Sequence, residues 1–181
     1  MDLTEHTLSE EYRFNGRLLR LRTDTVRLPD GKSAQREIVE HPGGVGIAAL
    51  TDDGRILVVR QYRHAFHETV LEIPAGKLEK GEDPLLAAKR ELAEETGATA
   101  ADWQYLGKLY PTPGYCEEVD YLYLATGLSF GAVSPDEDEF LEPDSLPLGE
   151  AVDAVMRGDI PDAKTQIALL MVQRRLEQGQ A

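Results

Sequence analysis

Cysteine is nearly missing from this chain of 181 residues: Cys116 stands alone. A single thiol excludes an internal disulfide framework and fits a reducing compartment. Long apolar runs are missing as well. Stretches such as Val45 to Leu50 are far shorter than the roughly 20 residues of a bilayer-spanning helix. The opening residues, Met1 to Glu11, are polar and acidic, unlike the basic-then-apolar start of a secretory signal. These absences set the expectation of a soluble, cytoplasmic protein. Positive charge is scarce too, with 19 Lys and Arg against 33 Asp and Glu, a formal net charge of −14. Such a surface repels nucleic-acid phosphates and anionic lipid, so a broad electrostatic role on either is disfavoured. A small anionic substrate is still allowed, because divalent cations and a few arginines can reverse the field inside one cleft.

What is present suits a folded chain. Hydrophobic residues make up 41% and charged residues 29%, and the length fits one domain. No repeat or low-complexity linker marks an internal boundary. The first third reads as strands joined by tight turns, with Asp30-Gly31 and Asp53-Gly54 as hairpin signals between β-rich runs. Val45 to Leu50 and Ile56 to Val59 are apolar enough for buried strands of a mixed sheet. Val70 to Ile73 forms a further short strand, closed by Pro74. A helix follows, with Asp83 as N-cap, Pro84 at the first helical position and Gly97 just past the end. Leu85 and Leu92 share the face that packs on the sheet. Trp103 to Tyr110 and Val119 to Ala125 read as strands, Asp136 to Glu139 as an acidic loop. Helices near Leu148–Met156 and Lys164–Leu176 complete an α/β sandwich.

Three acids in the first of those helices carry the chemistry. Glu91, Glu94 and Glu95 stand at i, i+3 and i+4, which places them within a 100° arc of one helix face. Their mutual repulsion, and the macrodipole acting on Glu94 and Glu95 in the last turn, each cost a few tenths to about 1 kcal/mol. A bound divalent cation removes both conflicts, and Mg²⁺ takes such oxygen ligands while keeping water and substrate phosphate in its shell. The cluster alone leaves two readings open, a solvated acidic helix end or a cation site.

The loop ahead of the helix decides between them. From Gly76 the chain reads Gly-Lys-Leu-Glu-Lys-Gly-Glu, Asp-Pro-Leu-Leu-Ala-Ala-Lys, Arg-Glu-Leu-Ala-Glu-Glu-Thr-Gly-Ala. This resembles the Nudix box: Gly76, Glu82, Arg90, Glu91, Leu92, Glu94, Glu95 and Gly97 match in register, and Ala98 is smaller than the usual last residue. The resemblance implies a Nudix-type α/β/α sandwich with a mixed sheet and an N-terminal antiparallel β region. Residues of about 1–42 would be that β region, expected to form a homodimer, and about 43–181 the catalytic core of the one domain. It also implies that the loop–helix–loop binds Mg²⁺ or Mn²⁺ at a diphosphate. Glu91, Glu94 and Glu95 would be ligands, together with the backbone carbonyl of Ala75 or Gly76. Arg90 would hold loop and carboxylates in place, with Glu82 as its partner or as an outer metal ligand.

Flanking motifs resemble the ADP-ribose pyrophosphatase branch of the family. Arg60-Gln61-Tyr62-Arg63 ends the strand before the box, and Pro113-Gly114 stands fifteen residues past Ala98, with Thr112 where serine is usual. Asp162-Ala163-Lys164-Thr165 near the end is also like that branch. By position, Arg63 would contact phosphate, Arg36 and Glu37 would reach substrate across the dimer, and Pro113 and Gly114 would line the substrate site. The late loop from Asp136 to Glu142 would bring the carboxylate that takes the proton from the attacking water, Glu139 or else Glu137. The implied activity is hydrolysis of ADP-ribose to AMP and ribose 5-phosphate. Alternatives are another nucleoside diphosphate sugar such as GDP-mannose, a non-catalytic ADP-ribose sensor, and an RNA-cap hydrolase, the last disfavoured by the acidic charge.

Overall fold

Thr, Val and aromatic residues interleave with charged ones through the first forty positions, and they form three antiparallel strands: β1 (His6–Asn15), β2 (Arg20–Arg27) and β3 (Ser33–Glu40). The structure is a computed structural model, and it describes residues 1–133 and 140–179. Its Cα positions group into two compact units, Met1–Gly43 with Tyr110–Val119, and Gly44–Leu109 with Asp120–Ala181. In the first unit β2 is central. The expected Asp30-Gly31 turn joins β2 to β3, with Gly31 at φ 85 and Asp30 Oδ1 accepting the Lys32 N–H at 3.0 Å. The segment before β4 then gains a partner from far along the chain: Val39 N–H donates to Tyr115 O at 2.7 Å, and Glu117 N–H to Val39 O at 2.9 Å.

The second unit holds the remaining elements. They are β4 (Gly44–Ala49), β5 (Arg55–Arg63), β6 (Glu68–Glu72), β7 (Ala75–Lys77), α1 (Pro84–Thr96), β8 (Ala98–Leu109), β9 (Asp120–Phe130), β10 (Leu141–Pro147), α2 (Leu148–Arg157) and α3 (Ala163–Glu177). One sheet is mixed, in the order β7-β4-β9-β8 with β4 and β9 parallel; the other is antiparallel, β10-β5-β6. Period-two alternation sends successive side chains to opposite faces. Val45, Ile47 and Ala49 join Tyr123 and Ala125 under α1, against Ala87, Ala88 and Leu92. Ala48, Leu122 and Leu124 turn the other way, toward Ala151, Ala168, Leu169 and Val172 of α2 and α3. Helices therefore cover both faces of this unit, the α/β/α sandwich that the box implied. Each fully buried side chain such as Leu92 contributes about 2 kcal/mol through its removal from water.

Several elements differ from the sequence reading, the short strand β7 and the extension of β9 to Phe130 among them, and three of the differences have an identifiable physical reason. Asp53-Gly54 does make a tight turn, with Gly54 at φ 80 and Thr51 N–H donating to Arg55 O at 2.9 Å. Yet β4 and β5 pair only at the Leu50–Ile56 bridge before entering different sheets. Strand β10 was not anticipated, the sequence reading having placed no element between the late acidic loop and the helix near Leu148; its Pro143 and Pro147 are accommodated because at the edge of a sheet beside β5 proline removes no needed donor. Strand β8 begins five residues earlier than expected, because Gly97 at φ 68 ends α1 and turns the chain at once into the sheet.

Candidate active site on the acidic helix

Helix α1 is built as its punctuation requires. Asp83 accepts from the backbone N–H of Leu85 and Leu86 at 2.9 and 3.1 Å, Pro84 opens the helix, and Gly97 closes it by donating to Ala93 O. Its buried face consists of Ala87, Ala88, Glu91, Leu92 and Glu95, so two of the three expected acids lie on the packed side. Glu95 is 1% exposed, and its Oε2 accepts the N–H of Ala75 at 3.0 Å. Glu91 lies against Gly76 so tightly that a Cβ there would stand 1.9 Å from the carboxylate carbon. Glycine at this position is thus a requirement of the carboxylate's placement, and the box glycine and the box acids form one local structure.

Arg90 organises the exposed side. Its Nε and Nη2 donate to the two oxygens of Glu82 at 3.1 and 3.0 Å, and Nη1 donates to Glu91 at 2.8 Å and to Glu94 at 3.0 Å. Glu82 also accepts the N–H of Glu79, and the hydrogen bond from Arg90 leads in holding its carboxyl below the usual range. Three carboxylates raise the Arg90 guanidinium well above its ordinary value, the Glu82 hydrogen bond foremost. Glu82 is therefore a partner of Arg90, spanning loop and helix. Among the described residues no group of three His, Cys, Asp or Glu side chains is gathered to hold a metal ion. Instead a positive charge, Nη1 of Arg90, lies between two of the expected ligands. The expected donor set nonetheless fits a hard divalent cation: it is made of carboxylates and a backbone carbonyl, with the Glu91 carboxylate seated in space that a Cβ at position 76 would take.

Arg63 belongs to the same unit, at the end of β5. It makes a forked pair with Glu72, at 2.6 and 2.8 Å, which leaves Nη1 outside the fork. Glu72, 2% exposed, also accepts from Lys164. Burial pushes the Glu72 carboxyl up, but Arg63 and Lys164 outweigh it and hold the group below its ordinary value. These residues border a cleft of about 360 Å³, with Phe66 and Pro161 on its apolar walls. Glu72 and Lys164 were not singled out as site residues in the sequence; the available signal was a glutamate inside the apolar run Val70-Leu71-Glu72-Ile73.

Arg36, Glu37, Pro113 and Gly114 belong to the first unit. Arg36 pairs with Glu5 at 2.5 Å, and Glu37 is exposed opposite Thr23 on β2. Pro113 and Gly114 are exposed in the turn from Thr112 to Cys116, whose end docks at Val39, two residues from Glu37. Arg22 holds that turn by pairing with Glu117 at 2.7 Å as well as with Glu40 and Asp24. Glu137 and Glu139 lie outside the described residues.

Comparison with known proteins agrees with this architecture. The NUDIX domain family matches residues 40–171, and the nucleoside diphosphate sugar hydrolase N-terminal domain matches residues 5–45. The chain belongs to the NUDIX family. It is 44% identical over 171 residues to the methanol dehydrogenase activator of Bacillus methanolicus, covering 93% of this chain and 92% of that protein. It is 43% identical over 173 residues to the ADP-ribose pyrophosphatase of Bacillus subtilis (strain 168), covering 94% of each. A crystal structure of an ADP compounds hydrolase superposes with a TM-score of 0.86 and 26% identity over the whole of both chains.

Proposed function

We propose that this Nudix pyrophosphohydrolase cleaves the diphosphate bond of ADP-ribose, with Mg²⁺ or Mn²⁺, as a cytoplasmic homodimer. The observation that carries the reading is the buried acid face of α1, with Glu91 packed on Gly76 and Glu95 bonded to Ala75. Similarity to ADP-ribose pyrophosphatases over nearly the full length supports the substrate. Glu91, Glu94 and Glu95, with the carbonyl of Ala75, would hold the metal, Glu91 and Glu94 turning from Arg90 to do so. A divalent cation there neutralises diphosphate charge and lowers the pKa of water at the site. The second nitrogen fork of Arg63 offers hydrogen bonds to a phosphate oxygen while Glu72 keeps the side chain in place. Water oxygen attacks one phosphorus as the bridging P–O bond breaks, giving AMP and ribose 5-phosphate. A carboxylate oxygen of Glu139, or of Glu137, accepts the water's proton. Arg36, Glu37, Pro113 and Gly114 would bind the nucleoside and sugar, Arg36 and Glu37 reaching across the dimer.

Purified protein with Mg²⁺ or Mn²⁺ and a panel of ADP-ribose, GDP-mannose and other nucleotide sugars tests the reading. AMP release is expected to be fastest from ADP-ribose; faster hydrolysis of GDP-mannose would reassign the substrate. Glu95→Gln is expected to lower turnover at saturating Mg²⁺ by about a hundredfold, and a loss of less than about tenfold would remove it from the ligand set. The similarity to a methanol dehydrogenase activator favours a second reading, in which binding of a nucleotide regulates a partner. Nucleotide binding without any metal-dependent product would select it.

A further inference from the structure

The segment that delivers the expected metal ligand Ala75 is gripped residue by residue. Glu72 is held by Arg63 and Lys164, the Ile73 N–H by Thr165, the Pro74 carbonyl by the N–H of Ile47 at 2.8 Å, and the Ala75 N–H by Glu95. Two of those grips come from the first turn of α3, far along the chain. Asp162 caps that helix: its Oδ2 accepts the Thr165 N–H at 2.9 Å and the Thr165 hydroxyl proton at 2.5 Å, while Oδ1 accepts from Lys164 at 2.9 Å. The threonine hydroxyl has one proton and two lone pairs. With the proton committed to Asp162, its oxygen is fixed as the acceptor for the Ile73 N–H at 2.9 Å. Thr165 and Ile73 are both fully buried, so no water replaces this bond. Lys164 is likewise aimed, since Asp162 and Glu72 hold its ammonium from two sides.

We infer that Thr165 and Lys164 are positioning residues for the reaction: through Ile73, Thr165 sets the carbonyl of Ala75, and through Glu72, Lys164 sets the guanidinium of Arg63. On the metal-dependent reading above, on which this rests, the two residues have separable effects. Thr165 governs the metal and Lys164 governs the substrate anion, although both sit in one helical turn. A cap that only stabilised α3 would lower the melting temperature in both variants and produce no such division.

The test compares Thr165→Val, Thr165→Ser and Lys164→Met with the full-length wild type. Readouts are Mn²⁺ binding without substrate, by electron paramagnetic resonance of free Mn²⁺, and kcat and KM on ADP-ribose. Thr165→Val keeps the side-chain shape and removes the acceptor; Mn²⁺ affinity is expected to fall at least tenfold, the scale of losses when a ligand's hydrogen-bonded support is removed. Thr165→Ser retains hydroxyl and affinity, within about threefold. Lys164→Met is expected to raise KM about tenfold and leave Mn²⁺ affinity within about threefold. Unchanged Mn²⁺ binding in a folded Thr165→Val, or equal effects of both variants on both readouts, overturns the inference. Should Thr165→Val fail to fold, an unaltered KM in Lys164→Met overturns it. A wild type inert toward ADP-ribose, with Mn²⁺ affinity lost in Thr165→Val, overturns the substrate reading and supports the positioning role.

Discussion

Two ion networks in the second unit, one on α1 and one where β5 and β6 meet α3, differ in how their charges balance. Around Glu72, two cations face two anions: Arg63 and Lys164 against Glu72 and Asp162. Around Arg90, one cation meets three anions, Glu82, Glu91 and Glu94. Burying charge is costly unless each charge is answered, so a balanced network is a stable solution in its own right. An anion-rich one attracts further positive charge. The contrast separates a charge-balanced network from one that carries an excess of negative charge.

Substitutions that break this contrast should act on different observables. The largest effect is expected for Glu72→Gln, which leaves the nearly buried Lys164 with one anion and releases the Arg63 fork. A loss of about 3 kcal/mol in unfolding free energy is predicted from denaturant titration, the scale for breaking a buried pair. Gly76→Ala should cost activity more than stability, because the displaced atoms are the flexible end of Glu91. Metal-dependent turnover is predicted to fall about a hundredfold, equivalent to about 2.7 kcal/mol, with a melting temperature within a few degrees of wild type. Arg90→Met removes the cation from the anion-rich network. The metal-free protein should lose about 1–2 kcal/mol, and added Mg²⁺ should raise its melting temperature more than that of wild type; an equal rise would break the comparison.

The smallest effect is a pH dependence. The folded Glu72 carboxyl lies below its unfolded value, so its stabilising contribution is complete above the unfolded pKa and fades as pH falls through the folded one. The stability gap between wild type and Glu72→Gln should therefore shrink below about pH 4, as measured by denaturation across pH.

Much of the local geometry around α1 was legible because its signals are local. Asp83, Pro84 and Gly97 bracket α1 by backbone chemistry that depends on near neighbours, and the spacing of Glu91, Glu94 and Glu95 places them on one arc whatever surrounds the helix. The partnership of Glu82 with Arg90 spans only eight residues. Asp53-Gly54 misled for the opposite reason. A turn is decided by four residues, but whether the flanking strands pair beyond it depends on the sheets they join, and here β4 joins β9 while β5 takes β10 and β6. Strand β10 was hidden by its prolines and acids, which become acceptable only once β5 supplies a partner on one side.

Taken by itself, the chain's order of residues determined the loop and helix that carry the acids, the face on which those acids lie, and the glycine that makes room for one of them. These depend on bond geometry and on contacts within a few turns. Tertiary structure alone decided that Thr165 and Lys164 grip Ile73 and Glu72 across 92 positions of sequence, and that Val39 pairs with the turn carrying Pro113. Hydrogen bonds between distant segments are set by how sheets and helices pack, and no local pattern of residue types encodes that packing.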